Sequence, residues 1–160
     1  MNTSAKALTY IRTKETLALT AYRDGGGVLT IGWGHTGDDV HEGDVIDMER
    51  AMVLFRTDIS EAESEVRRLV NHAKTPLTQS MWDALVSFEF NCGGLEFVTN
   101  GKTQRSRLLR ALDDCRYCDA VEELVVWNND GGRGVRGLLI RRLEEGLMFA
   151  SEKFPVSGHG

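Results

Sequence analysis

The strongest constraint on the fold is a change of sequence pattern near Asp47. Between Asp24 and Gly43 the chain is rich in glycine, and residues 28–33 are mostly β-formers. Turn glycines around a short β-forming run predict a hairpin or a small sheet. After Asp47, a residue suited to cap a helix, apolar residues recur at helical spacing almost to the end. The sequence therefore predicts an α+β fold with a small β-containing N-terminal lobe and a larger, C-terminal helical lobe.

Several helices can be placed by their apolar spacing. The segment 57–71 has acids early and arginines late, an order that suits the helix dipole, and its apolar residues are Ile59, Ala62, Val66, Leu69 and Val70. A second helix is predicted after Pro76, with Thr78 as its cap and Gly93-Gly94 at its end. Two more are predicted around 108–112 and over 120–127. The last helix has an apolar stripe formed by Leu138, Leu139, Leu143, Leu147 and Ala150.

Length and composition exclude several classes of protein. A chain of 160 residues with 41% hydrophobic and 27% charged residues fits one soluble, ordered domain. A net charge of −5 argues against a general nucleic-acid binder. No segment approaches the ~18 apolar residues needed to span a bilayer, and the N-terminus has no secretory signal pattern. We therefore expect synthesis in the cytoplasm, with no membrane insertion.

The cysteines and histidines give no metal-binding pattern. Cys115 and Cys118 form a C-x-x-C, but no second pair is present to complete a zinc site. The four histidines are scattered and do not form an H-E-x-x-H motif. We expect reduced thiols on a helix rather than a redox or metal site, and an enzyme without a cofactor.

Three residues near the N-terminus have the types that glycoside hydrolysis needs. Glu15 lies near the end of a helix-like segment, Asp24 directly precedes three glycines, and Thr30 lies in a predicted strand that could return beneath Asp24. The reaction uses one protonated carboxyl group and a second acidic group, and a hydroxyl can hold the attacking water. Each residue alone also has an ordinary explanation: a solvated acid, a turn-forming aspartate and a strand-forming threonine. Spacing alone therefore leaves hydrolytic activity open.

The motif Glu15-(x)8-Asp24-(x)5-Thr30-Ile31-Gly32-x-Gly34-His35 resembles the catalytic signature of the phage-type lysozymes, or endolysins. The likeness extends to 84–93, which resembles a buried helix and turn of that family, and to 127–132 with 137–144, which resembles its C-terminal segment. It covers roughly residues 8–150. The resemblance implies a lysozyme-like fold in one catalytic domain, 1–160. Its lobes, at about 12–56 and 72–155 around a cleft, would be joined by a helix at about 57–71.

The resemblance also implies a role for each matched residue. Glu15 would protonate the leaving glycosidic oxygen, Asp24 would be the acidic partner, and Thr30 would help to position the water. The implied reaction is attack by water with inversion at the β-1,4 bond between N-acetylmuramic acid and N-acetylglucosamine in peptidoglycan. The same match places three residues at the sugar-binding site: Thr36, Phe90 and Ser106.

Three other features have competing interpretations. His35 is expected to orient the hairpin by hydrogen bonding rather than to act as a base, because the acids already supply proton transfer. Glu89, beside an apolar stripe, is expected to reach solvent or to be paired. The C-terminal arginines form either a solvated helix face or a patch that attracts acidic wall polymers, and they are Arg133, Arg136, Arg141 and Arg142.

Two alternatives to a lysis enzyme remain open at this point. One is a bacterial or virion-borne muramidase, and the other is a catalytically inactive peptidoglycan-binding module on the same fold. For the lysis enzyme we expect a monomer with peptidoglycan as partner. We also expect its release to the periplasm or cell wall through a separate pore-forming protein.

Overall fold

A computed structural model describes residues 1–130 and 133–155. Gly131 and Gly132, part of the C-terminal segment quoted above, lie outside these residues, as does the side chain of Arg133. Over the described ranges, no helix is long and apolar enough to cross a membrane.

Short antiparallel hairpins lie between helices along the chain, and α2–α3 and α4–α5 follow each other without a strand between them. The helices are α1 (Ala5–Lys14), α2 (Met48–Leu69), α3 (Gln79–Cys92), α4 (Arg107–Asp113), α5 (Tyr117–Val125) and α6 (Arg136–Phe149). The strands are β1 (Ala18–Arg23), β2 (Leu29–Gly32), β3 (Glu96–Thr99), β4 (Lys102–Arg105), β5 (Asn129–Asp130) and β6 (Arg133–Gly134). Strand β1 pairs with β2, β3 with β4, and β5 with β6, and each pair is a separate two-stranded sheet. The predicted α+β class is confirmed.

The chain divides into two compact units. Leu8–Glu61 forms the first, here called the hairpin unit, and Met1–Ala7 with the chain from Ala62 onwards forms the second, the helical unit. The hairpin unit contains β1 and β2, whose inner face packs around Ile31, Val40 and Leu54. The boundary between Glu61 and Ala62 falls inside α2.

Helix α2 has the cap and the buried face that the sequence predicts. Asp47 precedes it, and Asp47 Oδ1 accepts a 2.7 Å hydrogen bond from the backbone N–H of Arg50. The apolar side chains predicted to share a face are all buried, and they are Ile59, Ala62, Val66, Leu69 and Val70. The helix starts at Met48, well before residue 57, because the Asp47 cap sets its first turn.

Helix α3 begins and ends where local signals place it. Thr78 is its N-cap, with Oγ1 accepting from the backbone N–H of Met81, and Gly93 closes it with φ 54°, in the left-handed region. Every residue from Ser80 to Phe88 is buried, so α3 is a central helix of its unit.

The predicted apolar stripe of the last helix is wrong. Leu139, Leu143 and Leu147 are exposed, and the buried face of α6 instead contains Arg141, Arg142 and Glu145. Glu145 neutralises these two arginines at distances of 3.2 and 2.9 Å, so the charged face can be buried against α3. Neither earlier interpretation of the C-terminal arginines holds for Arg141 and Arg142, which are not at the surface.

The expectation that both cysteines of the C-x-x-C lie on a helix is also wrong. Helix α4 ends at Asp113, and Cys115 has φ 54° in the turn before α5. The Cys115 N–H donates to the Leu112 carbonyl at 3.0 Å, and this bond closes the turn. Of these two cysteines only Cys118 is helical, and all three cysteines of the chain are free thiols.

Candidate active site

Glu15 lies at the point where α1 gives way to the β1–β2 hairpin. Its backbone N–H donates to the Arg12 carbonyl at 3.3 Å in the last turn of the helix. The side chain is half-buried, and Oε2 lies 3.7 Å from the position that a Cβ on Gly34 would occupy. Gly34 has φ +89°, a conformation that suits glycine, so the turn after β2 brings its backbone close to this carboxyl group.

Asp24 occupies the tip of the hairpin and organises it. Asp24 Oδ1 accepts from the backbone N–H groups of Gly26 at 2.9 Å and Val28 at 2.8 Å. The Asp24 backbone N–H donates to the Val28 carbonyl, and Arg23 Nη1 donates to the Gly27 carbonyl at 3.0 Å. Asp24 is exposed, and Oδ2 accepts no hydrogen bond from any described residue. The three-glycine turn therefore holds one carboxyl oxygen and leaves the other for solvent.

Thr30 lies on β2, directly opposite Tyr22 of β1. Its side chain is 4% exposed, and the hydroxyl donates to the Val28 carbonyl at 3.1 Å. Residues directly opposite in an antiparallel pair project from the same face of the sheet. The exposed Tyr22 ring and the buried Thr30 hydroxyl therefore share one face of the hairpin. Tyr22 precedes Asp24 by two residues in the chain.

His35 fixes the turn after β2 by bonding at both ring nitrogens. Ile31 and His35 exchange backbone hydrogen bonds of 2.9 Å around Gly32 and Gly34, both at positive φ. The buried imidazole contacts Asp58 Oδ1 through Nδ1 at 2.7 Å and Asp39 Oδ1 through Nε2 at 3.1 Å. The hydrogen-bonding role expected for His35 agrees with this geometry.

The surroundings of His35, Asp39 and Asp58 shift the pKa values of all three side chains. Burial lowers the pKa of His35, but the hydrogen bonds and charges of Asp58 and Asp39 together raise it above its ordinary value. The hydrogen bond to His35 lowers the pKa of Asp39, and burial raises the pKa of Asp58. The sequence did not identify Asp58 as a partner, because it lies 23 residues away on α2.

The residues predicted to bind sugar are divided between the two units. Thr36 is exposed and follows His35 in the hairpin unit, with the three residues proposed for catalysis. Phe90 is half-buried near the end of α3, in the helical unit. Ser106, also in the helical unit, is 1% exposed and caps α4, with Oγ accepting from the Leu109 N–H at 3.1 Å. These sugar contacts stay predictions.

Glu89 is paired, one of the two outcomes expected. Its Oε2 accepts from the backbone N–H of Leu95 at 3.2 Å, across the turn that follows α3. Burial raises the pKa of this carboxyl group. The side chain therefore fixes the Gly93-Gly94 turn.

Comparison with known proteins gives one consistent family. The phage lysozyme family model matches residues 12–145. An endolysin of Acyrthosiphon pisum secondary endosymbiont phage 1 is 37% identical over 156 residues, covering 94% of this chain and 99% of the relative. The endolysin of Bacillus phage B103 is 37% identical over 151 residues, and the match covers 93% of this chain but 54% of that longer protein.

A solved structure agrees with both sequence matches. The muramidase domain of SpmX from Asticaccaulis excentricus superimposes with a TM-score of 0.75 at 30% identity, covering 92% of this chain and 97% of the domain. The lysozyme-like fold expected from the resemblance is confirmed. The chain belongs to the phage lysozyme family.

Proposed function

We propose that this chain is an endolysin-type muramidase. It hydrolyses the β-1,4 bond between N-acetylmuramic acid and N-acetylglucosamine in bacterial peptidoglycan. The observation that carries the proposal is the hairpin with the turn before it: a half-buried glutamate, an aspartate with one carboxyl oxygen that accepts from no described residue, and a buried threonine hydroxyl. Relatives named as endolysins and a muramidase domain support the same chemistry.

Glu15 is the general acid in this proposal. Its place after α1 and beside the backbone of Gly34 limits its contact with bulk water. A carboxylic acid in such a position can donate its proton to the glycosidic oxygen as the bond breaks.

Asp24 and Thr30 serve the attacking water. The turn holds Asp24 through Oδ1, so Oδ2 can accept a proton from water or stabilise the positive charge that develops on the sugar ring. Thr30 donates its proton to the Val28 carbonyl, so its oxygen lone pairs remain to accept from the same water. We propose inversion at the anomeric carbon, which NMR of the first-formed product can detect.

Sugar binding is assigned to Thr36, Phe90 and Ser106. Thr36 has the exposure that a contact needs, and Phe90 offers part of an aromatic ring. Ser106 has the least support, because its side chain is buried and its oxygen caps α4.

The same proposal covers setting and organisation. Residues 1–160 act as one catalytic domain, with lobes at about 12–56 and 72–155 and a joining helix at about 57–71. The protein is a monomer that is made in the host cytoplasm. A separate pore-forming protein releases it to the cell wall.

Clearing of a turbid suspension tests the activity. Purified protein is added to bacteria whose outer membrane has been permeabilised, and separately to purified peptidoglycan, from which new reducing ends are measured. Clearing with release of N-acetylmuramic acid reducing ends is expected. Saturable binding to peptidoglycan with neither effect would indicate the inactive module instead.

A further inference from the structure

A concave surface in the helical unit is lined by none of the residues assigned to catalysis. It is a pocket of about 770 Å³ at the C-terminal end of α2, here called the basic pocket. Four of its lining side chains are cationic and two are carboxylates: Arg67, Arg68, Lys74, Arg105, Asp113 and Asp114. In a chain with a net charge of −5, this concentration of cations is not a consequence of composition.

The three arginines are held in place by bonds that leave part of each guanidinium unused. Arg67 donates through Nη2 to Glu63, and Arg68 donates through Nε and Nη2 to Glu65 and through Nη2 to Glu96. Arg105 donates through Nε and Nη2 to Asp113 and through Nη2 to the Leu69 carbonyl. Nη1 of each arginine makes no hydrogen bond to a described residue. The three guanidinium groups are therefore held in place and still have N–H groups that can donate to a ligand.

Lys74 differs from the arginines because its ammonium group has no ion pair or hydrogen bond to any described residue. The backbone that carries it is well anchored: the N–H groups of Lys74 and Thr75 donate to the Asn71 carbonyl at 2.9 and 2.8 Å. The Thr75 hydroxyl donates to the Leu112 carbonyl of α4 at 2.9 Å. The backbone that carries this exposed cation is therefore fixed, so binding of an anion has to order only the Lys74 side chain.

The charged groups of the pocket leave one cation without a carboxylate partner among the described residues. Burial lowers the pKa of His72, another lining residue, and the positive charges of the N-terminus and Arg67 lower it further. Of the two carboxylates, Asp113 is paired with Arg105, and Asp114 with Arg116, which also pairs with Asp119. Lys74 is therefore the cation of the lining that has no carboxylate partner among the described residues.

We propose that the basic pocket binds a phosphate group. A carboxylate is matched best by the parallel N–H fork of one arginine, and in Arg68 and Arg105 the Nε–Nη2 fork already binds a carboxylate of the protein. The remaining donors are single N–H groups on several residues. Phosphate has three terminal oxygens pointing in different directions, so it can accept from several such donors and from Lys74 at once.

Titration with pyrophosphate tests this site at low ionic strength. Binding to the full chain is measured by calorimetry and by NMR shifts, in parallel with the tricarboxylate tricarballylate at matched ionic strength. Lys74→Glu is compared with Lys102→Glu, which makes the same change in net charge at an exposed lysine of β4. We expect Lys74→Glu to weaken pyrophosphate binding about tenfold and Lys102→Glu to change it less than about twofold.

Phosphatidylcholine vesicles containing phosphatidic acid distinguish the source of the phosphate. Vesicle binding that depends on Lys74 assigns the site to a lipid headgroup, and pyrophosphate binding alone assigns it to a soluble or polymeric phosphate. Equal binding of the tricarboxylate, equal effects of the two variants or no binding at all would overturn the proposal. Unchanged lysis by Lys74→Glu is expected in every case, so this test is independent of the muramidase assignment.

Discussion

Asp24 shows how one side chain satisfies two interpretations of a sequence. As Asp-Gly it predicts a turn, and as part of the family signature it implies catalysis. In the structure one oxygen, Oδ1, makes both turn hydrogen bonds, and Oδ2 has no partner among the described residues. The two roles are therefore compatible, since each needs a different oxygen.

Substitution of Asp24 separates these roles. Asn keeps an oxygen acceptor for the Gly26 and Val28 N–H groups. The free energy of unfolding of Asp24→Asn should therefore lie within about 0.5 kcal/mol of the wild-type value. It removes the negative charge, so turnover should fall about 100-fold or more. Asp24→Ala also removes the acceptor and should cost about 1 kcal/mol of stability. Denaturant unfolding and peptidoglycan hydrolysis measure the two effects.

An active Asp24→Asn enzyme would contradict the assignment. It would mean that Asp24 only builds the turn and that Glu15 works with another group. A large loss of stability in the same variant would instead show that the turn depends on the negative charge itself.

At the scale of elements, locally encoded features were predictable and distant pairings were not. Thr78 and Gly93 bound α3 through contacts within a few residues, so the sequence was sufficient to place that helix. The buried face of α6 depends on Glu145 meeting Ser87 of α3, 58 residues away. Its leucines have helical spacing, but no local signal shows that a charged face is buried instead.

The His35 bridge gives a pH dependence that belongs to the hairpin and α2. Because the folded-state pKa of His35 is raised, its stabilising contribution is fully present below the unfolded value of about 6.5 and is lost as pH rises through the folded pKa. Because the pKa of Asp39 is lowered, its contribution is present above about 3.9 and is lost in stronger acid. Burial raises the pKa of Asp58, so the contribution of this residue to stability falls as it loses its proton.

We therefore expect His35→Gln to destabilise the protein most near pH 5, by about 1–3 kcal/mol, and less as pH rises past 7. Unfolding by urea across this range measures the difference. Asp58→Asn should lower the pKa of His35 more than Asp39→Asn does, because Asp39 is the more exposed partner. NMR titration of the His35 ring protons measures both shifts. A pH-independent difference would show that His35 acts by packing alone.

At the scale of the whole molecule, the helical unit contains a cluster of buried charges that joins two of its helices. Glu145 is fully buried between Arg141 and Arg142, and Arg142 Nη2 also donates to Asn91 Oδ1 at 2.9 Å. The Arg142 guanidinium lies 5.0 Å from the Phe88 ring centre. This cluster joins α6 to α3.

Glu145→Gln should therefore destabilise the protein by about 3–5 kcal/mol, because it removes the carboxylate that pairs with the fully buried Arg142. Glu152→Gln, at an exposed position near the C-terminus, serves as the matched control and should be neutral. Chemical denaturation of both variants at pH 7 makes the comparison. Equal stability of the two variants would contradict the stabilising role of Glu145 in this cluster.

The family was identifiable from sequence because its signature is short and falls within one unit. Glu15, Asp24 and Thr30 lie within 16 residues, on and beside one hairpin. The Asp58 partner of His35 and the basic pocket depend on segments brought together only by folding. The sequence therefore suggests the proposed chemistry, but it does not show the contacts that stabilise its surroundings.

The most direct test of the central proposal is the rate at which Glu15→Gln releases reducing ends from purified peptidoglycan. Glutamine has nearly the same shape but cannot donate a carboxyl proton, so the fold should be retained and the rate should fall by about 100-fold or more. An unchanged circular dichroism spectrum and melting temperature provide the control. A folded Glu15→Gln enzyme that keeps more than about a tenth of wild-type activity would contradict the role of Glu15 as the general acid.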